Sequence, residues 1–290
     1  MFTLQSARNL PQDLLTKGVI ETMEKSSAVL TEMPFISVVG SGYSYNQMAE
    51  LPTVAYRSVN EGYEEATADI EKQTEHLTIL GGFVDVDLFF AKTMSNINDI
   101  RSIQTEAKAK ATAQQVERDF FTGNGTGNAL KGLDKRLADS TSGVEIKSAL
   151  TLDALNELLD AVNGGASVLY MSKKMRRKLL ALLQASNHYI ESGKDDFGRP
   201  VVTYGGVKIY AIEDALIPAD KIYAVNFNVT DGVHGIENGG IQVRDLGEIA
   251  EKPCYRTVIE WYMGMAVKHP KAFAVLNTTD ALVAKARATK

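Results

Sequence analysis

Residues 95–132, SNINDIRSIQTEAKAKATAQQVERDFFTGNGTGNALKGL, decide how the rest of this 290-residue chain is interpreted. Neither Pro nor Gly interrupts the stretch before Gly123, and Ser95 is a residue type that caps helices, so we predict one helix over 97–121. At about 1.5 Å per residue this helix is a rod of roughly 37 Å, which is long for a globular domain. Such a helix is typical of a spine on which other elements pack, because its apolar side chains form only a narrow stripe: Ile97, Ile100, Ile103, Ala107, Ala111 and residues 116–120.

Composition narrows the class of protein. With 44% hydrophobic and 23% charged residues the chain can bury a core, and its net charge of −5 does not favour binding of nucleic acid through phosphate neutralisation. The single cysteine, Cys254, excludes an internal disulfide framework and a four-thiolate zinc site. We expect a soluble protein of a reducing compartment with no membrane partner, because the chain has neither a signal-peptide pattern at its start nor eighteen consecutive apolar residues. The four histidines have no metal-ligand spacing: His76, His188, His234 and His269.

The first eighty residues lack a core of their own. Residues 1–50 show one short helical patch, over 13–30, and read as an arm lying on another part of the structure. Residues 51–80 contain two extended runs, 54–58 and 71–79, joined by an acidic segment, and they predict a long β-hairpin. A two-stranded ribbon is marginal in water, so this hairpin needs a neighbour.

The remainder predicts a mixed α/β domain followed by long strands. A helix over 151–162 opens at Thr151 or Asp153, the strand ASVLYM follows, and Ser172 caps the helix KKMRRKLLALLQ. We expect strands over 207–212 and 222–227, and an exposed loop over 185–204. Strands over 239–245, 254–268 and 272–278 complete the chain, and the middle one alternates apolar and polar residues over roughly 50 Å.

Three patterns suggest chemistry, and each has a simpler interpretation. The turn FTGNGTGNALKG lacks phosphate-loop spacing and ends a helix, so we interpret it as a helix stop. Asp85 and Asp87 share a strand face and could hold a divalent metal, as in sugar-nucleotide transferases, but the polar outer face of a half-exposed strand is the favoured explanation. The basic residues 173–178 are typical of a solvated helix face, with nucleic-acid contact as the alternative. We therefore predict no enzyme and no catalytic, cofactor-binding or metal-binding residues.

The order of these parts resembles the major capsid protein of tailed bacteriophages, which has the Hong Kong 97 fold. The resemblance extends from about residue 51 to the end, and part of it lies in YRTVIEWYMGMAVKHPKAFAVL near the C-terminus. Its other part is the pattern E-x3-F-x-G-N-G…N-x3-G, formed here by Glu117, Phe121, Gly123, Asn124, Gly125, Asn128 and Gly132.

The resemblance implies an α+β chain of the Hong Kong 97 type with four parts. These are an N-terminal arm (1–50), an extended loop that reaches the next subunit (51–82), a peripheral domain with the spine helix and long strand (83–140 and 241–269), and an α/β axial domain (141–240 and 270–290). It implies no cofactor. In some members a loop lysine is joined to an asparagine of the peripheral domain. Here residues 63–67 lack lysine and residues 248–257 lack asparagine, so despite Lys72 we expect no such cross-link.

The function implied is that of a major capsid protein, assembling itself into pentamers and hexamers of an icosahedral shell around double-stranded DNA, which it contacts non-specifically. A separate scaffolding protein, a portal and head accessory proteins are the expected partners. About fifty residues before the loop are too few for a fused scaffolding domain, so either a separate scaffold helps assembly or this sequence is not the form that precedes cleavage. The implied location is the virion capsid, assembled in the bacterial host cytoplasm. The alternatives are an encapsulin-type nanocompartment shell protein and, from another class, a metal-dependent transferase using Asp85 and Asp87.

Overall fold

A computed structural model of the protein describes residues 14–50, 52–63, 65–67, 69–93, 100–186, 191–194, 198 and 200–278. Helices and strands both contribute extensively, as the α+β prediction requires. The helices are α1 (Leu14–Ser26), α2 (Ala28–Glu32), α3 (Leu88–Thr93), α4 (Ile100–Thr122), α5 (Leu133–Ala138), α6 (Leu152–Asp160) and α7 (Lys173–Ala185). The strands are β1 (Phe35–Ser37), β2 (Gly42–Glu50), β3 (Asp69–His76), β4 (Thr78–Asp87), β5 (Val144–Lys147), β6 (Val168–Ser172), β7 (Glu191–Lys194), β8 (Pro200–Tyr204), β9 (Val207–Ile212), β10 (Lys221–Val225), β11 (Val233–Glu248), β12 (Cys254–Val267) and β13 (Phe273–Asn277).

Helix α4 is the predicted spine, and it ends at the residue before Gly123 as expected. The predicted cap Ser95 lies outside the described residues. The predicted stripe is wrong in the first half of the helix, where Ile103 is half exposed. The buried seam instead uses small side chains, which let α1 and β4 approach the helix closely: Thr105, Ala109, Thr112 and Ala113, followed by Val116, Glu117, Phe120 and Phe121.

A four-stranded sheet in the order β1-β11-β12-β4 lies beside the spine helix. Strand β12 is the predicted long strand, and its face with Ile259, Trp261 and Met263 is buried as the alternation predicts. The Trp261 ring lies 5.2 Å from the ring of Phe35 on β1. Strand β4 is at one edge of the sheet, so part of its backbone has no strand neighbour within the sheet.

A seven-stranded sheet in the order β5-β13-β10-β6-β9-β8-β7 forms the second layer, packed with α6 and α7. Both predicted helix caps are confirmed: the Thr151 hydroxyl accepts from the Ala154 amide, and the Ser172 hydroxyl accepts from the Met175 amide. The loop predicted over 185–204 is wrong, because β7 and β8 form a hairpin there. Strand β8 also pairs with β9, and the turn between them consists of two glycines with positive φ. This backbone conformation favours glycine.

The predicted β-hairpin exists, but its first strand lies earlier in the sequence than predicted. Strand β3 covers most of the second predicted run, but its partner is β2, not residues 54–58. The two strands pair from Gly42↔His76 to Glu50↔Asp69, and residues 51–68 connect them. Because β2 lies in the stretch that we interpreted as arm, the ribbon begins earlier than the sequence suggested.

The end of the spine helix joins the two large sheets through aromatic rings. Phe121 lies 5.6 Å from Tyr170 on β6 and 4.9 Å from Tyr223 on β10, measured between ring centroids. These rings belong to the same buried cluster as Trp261 of the four-stranded sheet. We call the cluster around Phe121, Tyr170 and Tyr223 the junction.

The glycine turn after the spine helix closes on itself. The Gly132 amide donates to the Gly123 carbonyl at 2.9 Å, and the Gly125 amide donates to the Leu130 carbonyl at 3.2 Å. A Cβ on Gly123 would lie 2.2 Å from the Leu130 carbonyl oxygen, so only glycine fits there. These amides are used within the turn, which supports the helix-stop interpretation over a phosphate loop.

Candidate assembly surface

The connection between β2 and β3 carries large apolar side chains that no other described residue covers. Val54 is 94% exposed, Val59 is 88% exposed, and Tyr56 and Tyr63 are also strongly exposed. Exposed apolar area costs roughly 25 cal/mol per Å², so four such side chains on one loop are unfavourable in water. We call residues 52–63 the tip.

The tip has local order despite its exposure. The Glu61 amide donates to the Ser58 carbonyl at 3.3 Å, and the Ser58 amide donates to the Glu61 carboxylate at 3.1 Å. The Arg57 guanidinium donates to the Glu61 carbonyl at 3.2 Å and lies 5.1 Å from the centre of the Tyr63 ring. Less conformational entropy is lost when a preformed turn binds, so this order favours binding.

The base of the ribbon is fixed to the long strand β12. Arg136 on α5 forms an ion pair with Glu75 on β3 at 2.5 Å, and it donates to the Met265 carbonyl at 2.9 Å. The Tyr45 hydroxyl on β2 donates to the Val267 carbonyl at 3.0 Å. Burial, together with the nearby Glu75 carboxylate, raises the pKa of Tyr45 to about 12. The hairpin therefore has a firm base and an uncovered tip.

A buried histidine lies under this base. His234 on β11 is fully buried, and its ring meets the Tyr43 ring of β2 edge-on at 5.9 Å. Neither ring nitrogen makes a hydrogen bond of good geometry among the described residues, although the backbone groups of Gly232 and Asn228 lie near enough to favour the protonated ring. Burial, and secondarily the Lys268 ammonium, lowers the pKa of His234 to about 4, so the ring is neutral at physiological pH.

A second apolar surface covers the outer face of β4 and the short helix α3. Ile79 and Phe83 on β4 are more than half exposed, and Phe89 and Phe90 follow on α3. The Arg256 guanidinium of β12 lies 4.2 Å from the centre of the Phe83 ring. Because β4 is also an edge strand, this face offers both apolar side chains and backbone groups to another chain.

The two candidate metal ligands have partners within the chain. Both oxygens of Asp85 accept hydrogen bonds from Arg256 at 2.6 Å, and these bonds hold the pKa of Asp85 below its usual value. Asp87 accepts from the Phe89 amide at 2.7 Å, at the start of α3. Among the described residues no three His, Cys, Asp or Glu side chains form a group that could hold a metal. The strand-face interpretation of both aspartates is the one that these contacts support.

The basic helix start is also engaged with neighbouring acidic groups. Lys173 forms an ion pair with Glu213 at 3.1 Å, and the Lys174 amide donates to Asp214 at 3.4 Å. Both residues are exposed, as the solvated-face interpretation predicts.

The residues of the sequence pattern at the end of the spine helix, from Glu117 to Gly132, have structural roles. Glu117 and Phe121 are buried on α4, the three glycines form the closed turn, and the Asn124 side chain accepts from the Thr126 amide at 3.1 Å. Sequence reasoning missed the residues that fix the ribbon, namely Tyr43, Tyr45, Arg136 and His234. The alternation of Tyr43 and Tyr45 was the available signal.

Comparisons with known proteins agree with this architecture. A sequence model described as the phage capsid family matches residues 9–278. A search of curated protein sequences gives no significant match. None of the helices among the described residues has the length and apolar character needed to cross a membrane.

Solved structures share the fold at low sequence identity. The SrpI encapsulin of Synechococcus elongatus PCC 7942 is 18% identical with a TM-score of 0.68, and the match covers 86% of each chain. The structure from Microbacterium phage Oxtober96 is 17% identical with a TM-score of 0.65, covering 87% of this chain and 91% of the other. The structure from Mycobacterium phage Adephagia is 11% identical with a TM-score of 0.62, covering 87% and 90%.

Proposed function

The chain belongs to the phage capsid family, and on that premise we propose that its copies form pentamers and hexamers of a closed icosahedral shell that encloses double-stranded DNA. It is a major capsid protein with the Hong Kong 97 fold, a structural protein of the virion capsid whose partners include further copies of itself.

The uncovered tip is the observation that carries the proposal. Val54, Tyr56, Val59 and Tyr63 are exposed on the connection of a ribbon whose base is fixed by the Arg136–Glu75 ion pair. A loop of this kind gains stability when a neighbouring subunit covers it, and each subunit of a ring can offer the same loop to the next. The apolar outer face of β4 and α3 is a suitable receiving surface.

The proposed contents are double-stranded DNA held without sequence specificity. The net charge of −5 is compatible with this assignment, because a strongly basic lining would bind phosphates tightly and hinder both packaging and release. We further propose that a separate scaffolding protein, a portal and head accessory proteins take part, and that assembly occurs in the bacterial host cytoplasm. The division into arm, extended loop, peripheral domain and axial domain belongs to the same proposal.

The likeness to an encapsulin keeps a nanocompartment shell as the second candidate. The two candidates differ in what the particle contains. Cryo-electron microscopy of particles from the native host, combined with nuclease-protected nucleic-acid analysis, distinguishes them. We expect full-length double-stranded DNA inside, whereas an enclosed enzyme without DNA would replace the phage-head proposal.

Assembly through the tip is tested by shortening the loop. Residues 52–67 are replaced by a short Gly-Ser linker, which leaves β2, β3 and the Arg136–Glu75 pair intact. We expect folded subunits, by circular dichroism, that no longer form particles under conditions where the unmodified chain does, in negative-stain microscopy and sedimentation. Normal particles from the shortened chain would contradict the role of the tip.

A further inference from the structure

Glu117 is a member of the sequence pattern at the spine-helix end, yet neither the turn nor the assembly surface uses its side chain. It lies on the buried face of α4 and is only 4% exposed. Its carboxylate oxygen accepts from the Ala28 amide at 3.0 Å and from the Ser27 hydroxyl at 3.4 Å. These two donors belong to the start of α2, so Glu117 attaches the N-terminal segment to the spine helix.

The same hydroxyl connects Glu117 to the helix cap. Ser27 is the N-cap of α2, and its Oγ accepts from the Leu30 amide at 3.4 Å while it donates to Glu117. The start of α2 is therefore completed by a side chain that is ninety residues away in sequence. At its other end, Glu32 accepts from Lys208 and from the Tyr210 hydroxyl, each at 2.7 Å. We call residues 27–32 the anchored segment.

The two ends of the anchored segment differ in charge compensation. Glu32 has the Lys208 ammonium as its partner. Glu117 has hydrogen-bond donors but no cation in ion-pair contact among the described residues, and a buried carboxylate without a cation is expensive to ionise.

We propose that Glu117 is a protonation-controlled anchor, which holds the N-terminal segment 27–32 on the spine helix when its carboxyl is neutral and holds it less firmly when it is ionised. The proton leaves the Glu117 carboxyl for solvent as the segment opens, and no covalent bond changes. This device is distinct from the assembly surface, and it acts in the isolated subunit.

The surroundings of Glu117 fix the direction of the effect. Burial raises its pKa to about 7 against an ordinary value of 4.5, the Ala28 and Val29 amides and the Ser27 hydroxyl oppose this rise, and the Glu213 carboxylate adds to it. When the segment opens, the Glu117 carboxyl regains its ordinary pKa of 4.5. At a pH between 4.5 and about 7, closing of the segment therefore takes up a proton. The closed form is therefore favoured at low pH and weakens as pH rises through about 7. The titratable and charged groups around the anchored segment are Glu24 and Lys25 on α1, Glu32 on α2, Tyr170 on β6, Lys208 and Tyr210 on β9, Lys173 on α7, and Glu213.

Hydrogen exchange tests the anchor directly. Protection factors, corrected for intrinsic exchange, are measured by mass spectrometry for peptides covering residues 24–33 of the full-length unassembled subunit, between pH 5.5 and pH 8.5. We expect protection to fall at least tenfold across this range, with a ceiling of roughly 30-fold, because a group with a closed-state pKa of about 7 changes the opening equilibrium about tenfold per pH unit only between pH 5.5 and about 7. A flat profile in the unmodified chain overturns the proposal without any variant.

Two variants separate the anchor from general acid titration. Glu117→Gln keeps a hydrogen-bond acceptor of the same shape without a titratable proton, and we expect its protection in 24–33 to be independent of pH. Glu106→Gln changes an exposed glutamate on the same helix, paired with Lys110, and should retain the profile of the unmodified chain. A Glu117→Gln profile with the original slope assigns the titration to another group and overturns the proposal.

Discussion

The tip of the ribbon and the junction both carry tyrosines, which are exposed to water in the tip and buried in the junction. In the tip, Tyr56 and Tyr63 extend into water, whereas in the junction Tyr170 and Tyr223 are completely buried among rings. The junction tyrosines also satisfy their hydroxyls: Tyr170 donates to the Ala28 carbonyl, and Tyr223 donates to Asp134.

This difference separates two kinds of stability within one chain. The junction is complete within the subunit, so it belongs to the fold that each copy reaches alone. The tip exposes apolar area in the described part of the subunit, and in the proposed assembly a second copy covers it, so we expect its contribution only in the assembled state. Substitutions in the two regions should therefore affect different measurements.

The largest expected effect lies in the junction. Phe121→Ala removes a fully buried ring that contacts Phe120, Tyr170 and Tyr223. Loss of a buried phenyl ring destabilises by about 3–5 kcal/mol, because burial is lost and a cavity remains. Urea denaturation of unassembled subunits measures the change in free energy of unfolding. A loss below about 1 kcal/mol would show that the junction does not hold the two sheets together.

The next effect lies at the base of the ribbon. Arg136→Met removes the guanidinium but keeps much of the apolar stem, leaving the Glu75 carboxylate and the Met265 carbonyl without this donor. We expect a loss of about 2–4 kcal/mol and faster proteolysis within the ribbon, since Glu75 is partly exposed and water can compensate it in part. Arg244→Met, which breaks an exposed pair with Glu260, is the control and should cost less than about 1 kcal/mol. Equal losses in the two variants would refute the anchoring role of Arg136.

How much of this could be predicted depends on whether the signal was local. The stop at Gly123 and the caps at Thr151 and Ser172 were predictable, because each depends on a single residue type at a helix end. The ribbon was misplaced because β2 has no continuous apolar face and a long connection instead of a turn signal separates it from β3.

The contacts of the assembly surface were beyond sequence reasoning. Arg136 meets Glu75 across sixty-one positions, and His234 reaches Tyr43 only after the ribbon folds back on β11. The spine-helix seam was mispredicted for a similar reason: neighbouring elements selected Ala109 and Ala113 over the more apolar Ile103. The spacing of apolar residues in the sequence does not determine which of them tertiary packing buries.

The pH response of the ribbon base should come from His234. Its folded pKa of about 4 lies below the ordinary 6.5, so the unfolded chain binds a proton that the folded chain refuses between these values. Stability from this group is present above pH 6.5 and is lost as pH falls toward 4, by up to about 3 kcal/mol. His234→Phe keeps an aromatic ring against Tyr43 and should remove this loss in denaturation curves between pH 7 and pH 4. Parallel pH profiles for the variant and the unmodified chain would refute it.

The smallest effect on folding is expected at the tip, where the comparison is sharpest. Tyr56→Ser and Tyr45→Ser make the same change at opposite ends of one ribbon. Tyr56 is fully exposed in the described part of the chain, so its loss should change the free energy of unfolding by less than about 0.5 kcal/mol, whereas loss of the buried, hydrogen-bonded Tyr45 should cost about 2–4 kcal/mol. Particle yield should show an effect that folding stability does not. We expect Tyr56→Ser subunits to fold normally and to form fewer particles, because the exposed ring is needed only where a second copy covers it. If Tyr56→Ser destabilised the isolated subunit as much as Tyr45→Ser does, the tip would have a partner within its own chain, and the division between fold and assembly would fail.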